Sequence, residues 1–329
     1  MTDGVRLTIN IIYTKLYEVI ELILSSRKEI LMSESPTAHL TPQAGLIPAI
    51  NAWEFYLNDQ GRSPNTVKAF LSDVRLLTQV LPPDRTLGAI TTNDLNNFLH
   101  WLEHERSVPC SPKTLARRVT AIKSFFRWLQ NGGALLVNPA EKVVQHSVLS
   151  PIPEVLTETE IDAVLLAADR SRRATRPDAR PYTLLSLLLA TGIKKSECLG
   201  IHLNHIDLQS PGEPYVFIRY ASPANRYKER KLTLPEDWLP AYEEYLTQYN
   251  PVDRLFPWSP RRLEYLLEDI GKEAGLPKHL SFDMCRWTCV LQDFLNNVEP
   301  EKIRQKLGIS KIQWREINLK LRQLAGKDE

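Results

Sequence analysis

The chain has 329 residues, of which 43% are apolar and 24% charged, a composition that can bury a core in each of two domains and does not suit a disordered polymer. Forty-one Lys and Arg against 39 Asp and Glu leave a formal charge of +2, so bulk charge says little about partners and only the distribution of the charges is informative. No apolar run approaches the ~18 residues of a membrane span, and four cysteines in so long a chain do not make a disulfide framework, so a cytoplasmic setting with no membrane partner is expected.

Residues 1 to about 31 read as a helix, with Leu7, Ile11, Ile12, Leu16, Val19, Ile20 and Leu24 at helical spacing. This stretch ends in Ser25-Ser26-Arg27-Lys28 without a small-residue cleavage site, which argues against a secretory signal. Met32 and the polar break from Ser33 follow, so the stretch is either a genuine extra helix or an upstream start. Residues 1–40 are assigned to this helix and linker, and residues 41–147 to an all-helical domain. Its first helix runs from Ile47 to Leu57. Its second is opened by Ser63-Pro64 and closed by Pro82-Pro83, and its third is capped by Thr91 or Thr92. A fourth is opened by Ser111-Pro112 and ended by Asn131-Gly132-Gly133. Residues 148–156 hold two prolines and no period, the mark of a linker. Thr157 and Glu160 form a capping box that starts the second domain, 157–329. There, Tyr182 to Ala190 is a strongly apolar helix. Val216–Tyr220 and Lys231–Leu234 read as two strands around a basic turn, and helices resume from Leu239.

Basic residues are clustered. Between Ser111 and Gln130 lie Lys113, Arg117, Arg118, Lys123 and Arg127 with no acid. A second group is Arg226, Lys228, Arg230 and Lys231, and a third is Arg170, Arg172, Arg173, Arg176 and Arg180. Local basic faces on a near-neutral chain suit a phosphate backbone, though any one of them alone is also consistent with an ordinary solvated surface.

The most specific string is Thr191-Gly-Ile-Lys-Lys-Ser-Glu-Cys-Leu-Gly-Ile-His-Leu-Asn-His-Ile-Asp207. It resembles the tyrosine recombinase (phage integrase) signature TGLRxSELLGLxxxDID. The likeness continues at Tyr227-Lys-Glu-Arg230, at Leu280-Ser-Phe-Asp-Met-Cys-Arg286-Trp and at Leu307-Gly-Ile-Ser, in the family's order. The stretch from Ser111 to Leu129 looks like its core-binding helix. Together these cover roughly residues 41 to 320. The resemblance implies a mostly α fold with a small antiparallel sheet, arranged as a two-domain clamp in which a helical core-binding domain and a catalytic-type domain hold double-stranded DNA.

In that family a tyrosine attacks a DNA phosphorus and forms a covalent link. Two arginines and a histidine stabilise the charge that builds on the phosphate oxygens. A lysine on the strand turn and another histidine handle protons. Carried onto this chain, the first arginine falls on Lys194, and the turn lysine on Asn225, with Lys228 able to stand in. The first histidine becomes Asp283 and the second arginine stays as Arg286. Trp287 follows where histidine is usual, the last histidine or tryptophan is Ile309, and the nucleophile position is Asn318. No tyrosine lies among residues 266–329 and no histidine among residues 280–329. Ser310 is a hydroxyl near the right helix, best explained as a helix cap. The resemblance therefore implies a DNA-binding protein without an intact cleavage site, acting as a regulator or accessory factor in recombination or integration. Lys68, Arg75, Lys113, Arg117, Arg118, Lys123, Arg127, Arg226, Lys228, Arg230 and Arg286 are the expected DNA contacts. No cofactor or metal is expected, and nucleoid association follows from DNA binding. The C-terminal helix, punctuated by Ile312, Ile317, Leu319, Leu321 and Leu324, is expected to bury its apolar face in cis or in trans, against another copy or an active recombinase. A recombinase with an unconventional site and an interaction module that has lost DNA binding remain the alternatives. Cys285 and Cys289 are read as core residues, Trp53, Trp101 and Trp128 likewise, His202 and His205 as surface or packing residues, and Glu197 as a capping or pairing group.

Overall fold

The computed structural model describes residues 37–326 apart from 38, 109, 145–150 and 210–211. The helix expected over residues 1 to about 31, and part of the expected linker, lie outside the described residues. The chain divides at Ser150/Pro151 into two compact units.

The first unit is helical. Its helices are α1 (Leu46–Asp59), α2 (Pro64–Arg75), α3 (Thr92–His100) and α4 (Pro112–Asn131). Side-chain oxygens satisfy the orphan amides at three of the starts. Ser63 accepts from the Thr66 amide, Thr91 and Asp94 bond reciprocally, and Ser111 accepts from the Thr114 amide. α2 ends at Arg75 and tightens into a 3₁₀ turn at Leu76–Gln79, so it stops before the Pro82-Pro83 pair expected to end it. The core is aromatic. Trp53 is fully buried and meets Phe125 edge-on at 5.2 Å between ring centres, with Phe70 stacked at 6.0 Å. Trp128 is buried and Trp101 packs partly buried against the same cluster, as expected of core tryptophans.

The second unit starts with α5 (Glu158–Arg172), capped reciprocally by Thr157 and Glu160, and α6 (Arg180–Thr191), followed by the short α7 (Lys195–Leu199). The sheet is three-stranded and antiparallel in the order β1 (Ile206–Asp207), β2 (Tyr215–Ile218), β3 (Arg230–Thr233). Val216 pairs with Leu232 and Ile218 with Arg230. The two expected strands form but begin one residue earlier, and β1 joins them. Two residues are too few to display the period-2 pattern that would have revealed it. α8 (Trp238–Tyr249), α9 (Pro260–Glu273), α10 (Phe282–Leu295), α11 (Pro300–Leu307) and α12 (Lys311–Leu324) complete the unit. The apolar face of α6, with Leu184, Leu185, Leu187 and Leu188 wholly buried, lies in the main core beside Trp238, Tyr245 and Phe256. Among the described residues no helix is long and apolar enough to cross a membrane.

A separate apolar cluster seats the last helix. Leu321 of α12 is fully buried with Val290, Leu291, Ile303, Leu307 and Ile309, and Trp287, Phe294, Trp314, Ile317 and Leu324 pack around them. The tail thus docks in cis, through Leu321, Ile317 and Leu324. Ile312 and Leu319, expected on the same apolar face, are 79% and 56% exposed. Ser310 caps α12 by accepting from the Gln313 amide. Leu321→Ala should therefore cost about 2–5 kcal/mol in chemical denaturation, whereas Ile312→Ala should stay within about 0.5 kcal/mol of the parent; equal effects would place the helix elsewhere.

Candidate nucleic-acid interface and anion pocket

α6 ends on Gly192 in the left-handed conformation (φ 61°), where glycine avoids the Cβ clash that other residues meet. A Cβ there would lie 3.3 Å from the Cys289 sulfur, a tight contact that glycine avoids where the turn presses onto α10. The approach is used: the Gly192 carbonyl accepts from the Arg286 guanidinium, and the Leu307 carbonyl accepts from the same group at 2.9 Å. Arg286 is therefore fixed by two backbone carbonyls, one at the end of α6 and one at the end of α11. Directly after the turn, Lys194 becomes the N-cap of α7.

Glu197, three residues on, organises the rest. One of its oxygens accepts from the Lys194 amide at 2.9 Å, and the Tyr220 hydroxyl donates to the other. Arg230 grips both oxygens, at 3.1 and 3.0 Å, the two-pronged geometry that planar guanidinium favours. The pair is almost wholly buried, with side-chain exposures of 9% for Arg230 and 1% for Glu197. Arg230 also donates to the Lys306 carbonyl at 2.6 Å and the Lys228 carbonyl at 3.1 Å. Gly308 makes room for this: it has φ 60°, and a Cβ on it would sit 2.6 Å from an Arg230 nitrogen. The Arg230 clamp, the Glu197 cap and the glycine after Leu307 are thus one construction.

The electrostatics follow from this packing. Burial depresses the Lys194 ammonium and the Arg286 charge adds to the effect, with Glu197 opposing and Lys228 and Arg230 reinforcing. Arg286 is also depressed, first by burial, with Glu197 opposing and Arg230 adding to it. Glu197 itself is held below its usual range by Arg230, Tyr220 and the Lys194 amide, which outweigh its burial. Burial and the Glu197 carboxylate push Tyr220 up to about 12. Four cations thus lie around Glu197, whose carboxylate is already committed to Arg230. Lys194 and Arg286 line a depression of about 680 Å³ together with Lys195, Tyr265 and three acids, Glu264, Glu268 and Asp283, of which Glu264 pairs with Lys195.

The residues expected at the cleavage site divide into two groups. Lys194, Asp283 and Arg286 do converge on the depression, with Asp283 exposed in the first turn of α10. Lys228 lies beside them electrically, its ammonium donating to Asn225 Oδ1 at 2.8 Å within the turn 223–228. Ile309 is different: it is buried in the apolar cluster beneath α12. Asn318 sits half-buried on α12. Cys285 and Cys289 are buried, and burial pushes their thiols up to about 12 and about 11, which suits core residues. His202 pairs with Asp253 at 2.7 Å and its amide donates to His205.

On the first unit, α4 presents two faces. At about 100° per residue, Lys113, Arg117, Lys123 and Arg127 fall within about 120° of arc. Arg118 falls among Leu115, Val119, Ile122, Phe125 and Leu129. The structure agrees: Arg118 is buried, its guanidinium 3.5 Å from Asp73 and 3.3 Å from the Cys110 sulfur. Two expected DNA contacts are therefore corrected. Arg118 and Arg230 face inward because each pairs with a buried carboxylate, Asp73 and Glu197 respectively. Lys68, Lys113, Arg127 and Arg226 are exposed and Lys123 is half-buried. Arg75 pairs loosely with Glu54 at 3.5 Å, an exposed contact worth little. The sequence motifs point to Lys194 and Arg286 of the depression, but Tyr220, Tyr265 and the organising role of Glu197 emerge only from the fold.

The phage integrase N-terminal SAM-like domain model matches residues 50–133, and the phage integrase family model matches residues 154–315. The chain belongs to the phage integrase family, the tyrosine recombinases. It is 23% identical over 295 residues to the tyrosine recombinase XerD of Listeria innocua, covering 83% of this chain and 94% of that one. It is 31% identical over 154 residues to the tyrosine recombinase XerC of Roseiflexus castenholzii, 46% of this chain and 48% of that one. Among solved structures, a lambda integrase dimer bound to a COC' core site aligns with TM-score 0.65 at 14% identity, over 83% of this chain and 77% of that one. The XerH recombinase bound to difH substrate in a pre-cleavage complex aligns with TM-score 0.62 at 16% identity, over 86% and 84%. At such identities these two likenesses establish the shared fold.

The buried pair makes a prediction. Glu197→Ala, which leaves Arg230 unpaired, should destabilise the second unit by about 3–5 kcal/mol. Because Glu197 titrates below its usual 4.5 when folded, its stabilisation is present above that value and is lost as pH falls through the depressed one. A stability–pH curve of Glu197→Gln should lack this acid limb. An acid limb identical to the parent's would show that the pair contributes nothing.

Proposed function

We propose that this chain is a DNA-binding tyrosine recombinase homologue that holds a duplex without cutting it, and that it serves as a regulator or accessory factor in recombination or integration. The observation that carries this reading is the split within one site. The cations that would hold a phosphate, Lys194, Lys228 and Arg286, are gathered around Glu197–Arg230, while the position of the family's last catalytic histidine or tryptophan is an isoleucine buried in the core.

Cleavage in this family needs a phenol, and the nucleophile position holds Asn318, whose amide cannot form the phosphotyrosine link. Asp283 brings negative charge to the depression where charge would build on the phosphate oxygens. Lys194 keeps a positive charge but lacks the planar fork of arginine. Loss of one oxyanion donor typically costs ~10²–10³ in rate, and here several are gone together with the nucleophile. Binding, by contrast, needs only cations facing a backbone, and Lys113, Lys123 and Arg127 share a face of α4 with Arg117. The DNA-bound lambda integrase and XerH, which share the fold, support duplex DNA as the ligand.

The test is affinity for a labelled mixed-sequence duplex across a salt series, for the parent and for Lys113→Ala/Lys123→Ala/Arg127→Ala. The parent should bind with steep salt dependence. The triple variant should bind more weakly, its log–log salt slope shallower by about 0.9 for each phosphate that is no longer neutralised. A parent that binds no duplex at low salt, or a variant with unchanged affinity and slope, would sink the proposal.

A further inference from the structure

The first unit contains a buried carboxylate that faces more than Arg118. Asp73 lies on α2 with its side chain 3% exposed, and α4 sends it two guanidinium groups. Arg118, itself 10% exposed, approaches one carboxylate oxygen at 3.5 Å. Arg117 donates to the other at 2.5 Å and to the Ala69 carbonyl at 3.5 Å. The two arginines are not equivalent. Arg118 sits in the apolar arc of α4, and its Nε makes no hydrogen bond among the described residues; burial holds the Asp73 carboxyl above its ordinary value, with Arg117 the larger opposing charge and Arg118 the smaller. Arg117 is 42% exposed and stands one turn after Lys113 on the basic face, where the other N–H groups of its guanidinium make no hydrogen bond among the described residues.

We propose that Asp73 is a positioning residue for DNA binding. Its carboxylate fixes the Arg117 guanidinium across the seam between α2 and α4 and aims the remaining donors at a backbone phosphate. This rests on the DNA-binding reading above. Arginine carries a large rotamer entropy, and fixing the side chain in advance lowers the cost of ordering it when the phosphate arrives. A planar guanidinium can serve a carboxylate with one edge and a phosphate with another, which an ammonium cannot do.

Coulomb's law makes the proposal separable from a simple charge effect. Replacing Asp73 by Asn removes a negative charge beneath the basic face, which by charge alone would tighten binding to DNA. Positioning requires the opposite sign. Affinity for the same mixed-sequence duplex is measured for the full chain, Asp73→Asn, Arg117→Ala and the double variant, below each protein's melting temperature. Asp73→Asn should weaken binding about three- to ten-fold, and the double variant should bind no worse than Arg117→Ala, because the acid acts through that arginine. Asp73→Asn that binds as tightly as the parent or tighter, or that adds its full effect to that of Arg117→Ala, overturns the proposal. Arg117→Lys guards against misfolding, since it keeps the charge at an exposed position. It should lose affinity while keeping the salt slope, and full affinity in this variant also overturns the proposal. If the parent binds no duplex, the DNA-binding reading and this proposal fall together. If the parent binds and the variants behave as charge alone dictates, only the positioning role falls.

Discussion

The second unit is organised by the ion pair between Glu197 and Arg230. Through Glu197 it caps α7 and holds Tyr220; through Arg230 it binds the Lys228 and Lys306 carbonyls, and so joins α7, the sheet and α11. A buried charge pair is not stabilising by default, because desolvation opposes it. Here both carboxylate oxygens and most guanidinium donors have partners, which is the condition under which such a pair is tolerated and its geometry becomes unique. Lys194 and Arg286 both line the depression beside this pair, and each feels the other's charge.

The position of Arg286 is likewise set by the backbone. Arg286 is anchored by the Gly192 and Leu307 carbonyls, so its position depends on backbone geometry and not on any catalytic neighbour. Ile309 and Trp287 stand where the family resemblance expects polar catalytic groups, and both pack with Trp314, Ile317 and Leu321 of α12. Apolar groups at these positions form part of the seat of the last helix. A histidine at 309 would have to find hydrogen-bond partners inside that cluster or displace the helix.

Much of this is legible in the sequence. Helix starts are readable at Ser63, Thr91, Ser111 and Thr157 because capping is local chemistry, and α6 is readable from its apolar length. The motif around Thr191 identifies Lys194 and, with Arg286, the depression that they line. What escapes is non-local. Arg230 and Glu197 are 33 residues apart, and no periodicity announces that a basic turn residue points inward. Arg118 is legible in principle, since its helical angle places it among Ile122, Phe125 and Leu129, but counting it with its basic neighbours conceals this. β1 is two residues long and becomes a strand only because Val216 and Tyr215 lie alongside to pair with it.

The central claim, that the phosphate-holding half of the site remains while the cutting half is gone, is tested most directly with a nicked suicide substrate. The unmodified protein is incubated with a duplex that it binds, and the products are run on a denaturing gel. All DNA should then run free of protein. A protein-linked band would contradict the claim, and mapping the attachment to Tyr265, the phenol on the wall of the depression, or to Ser310 would identify the group that had replaced the missing tyrosine.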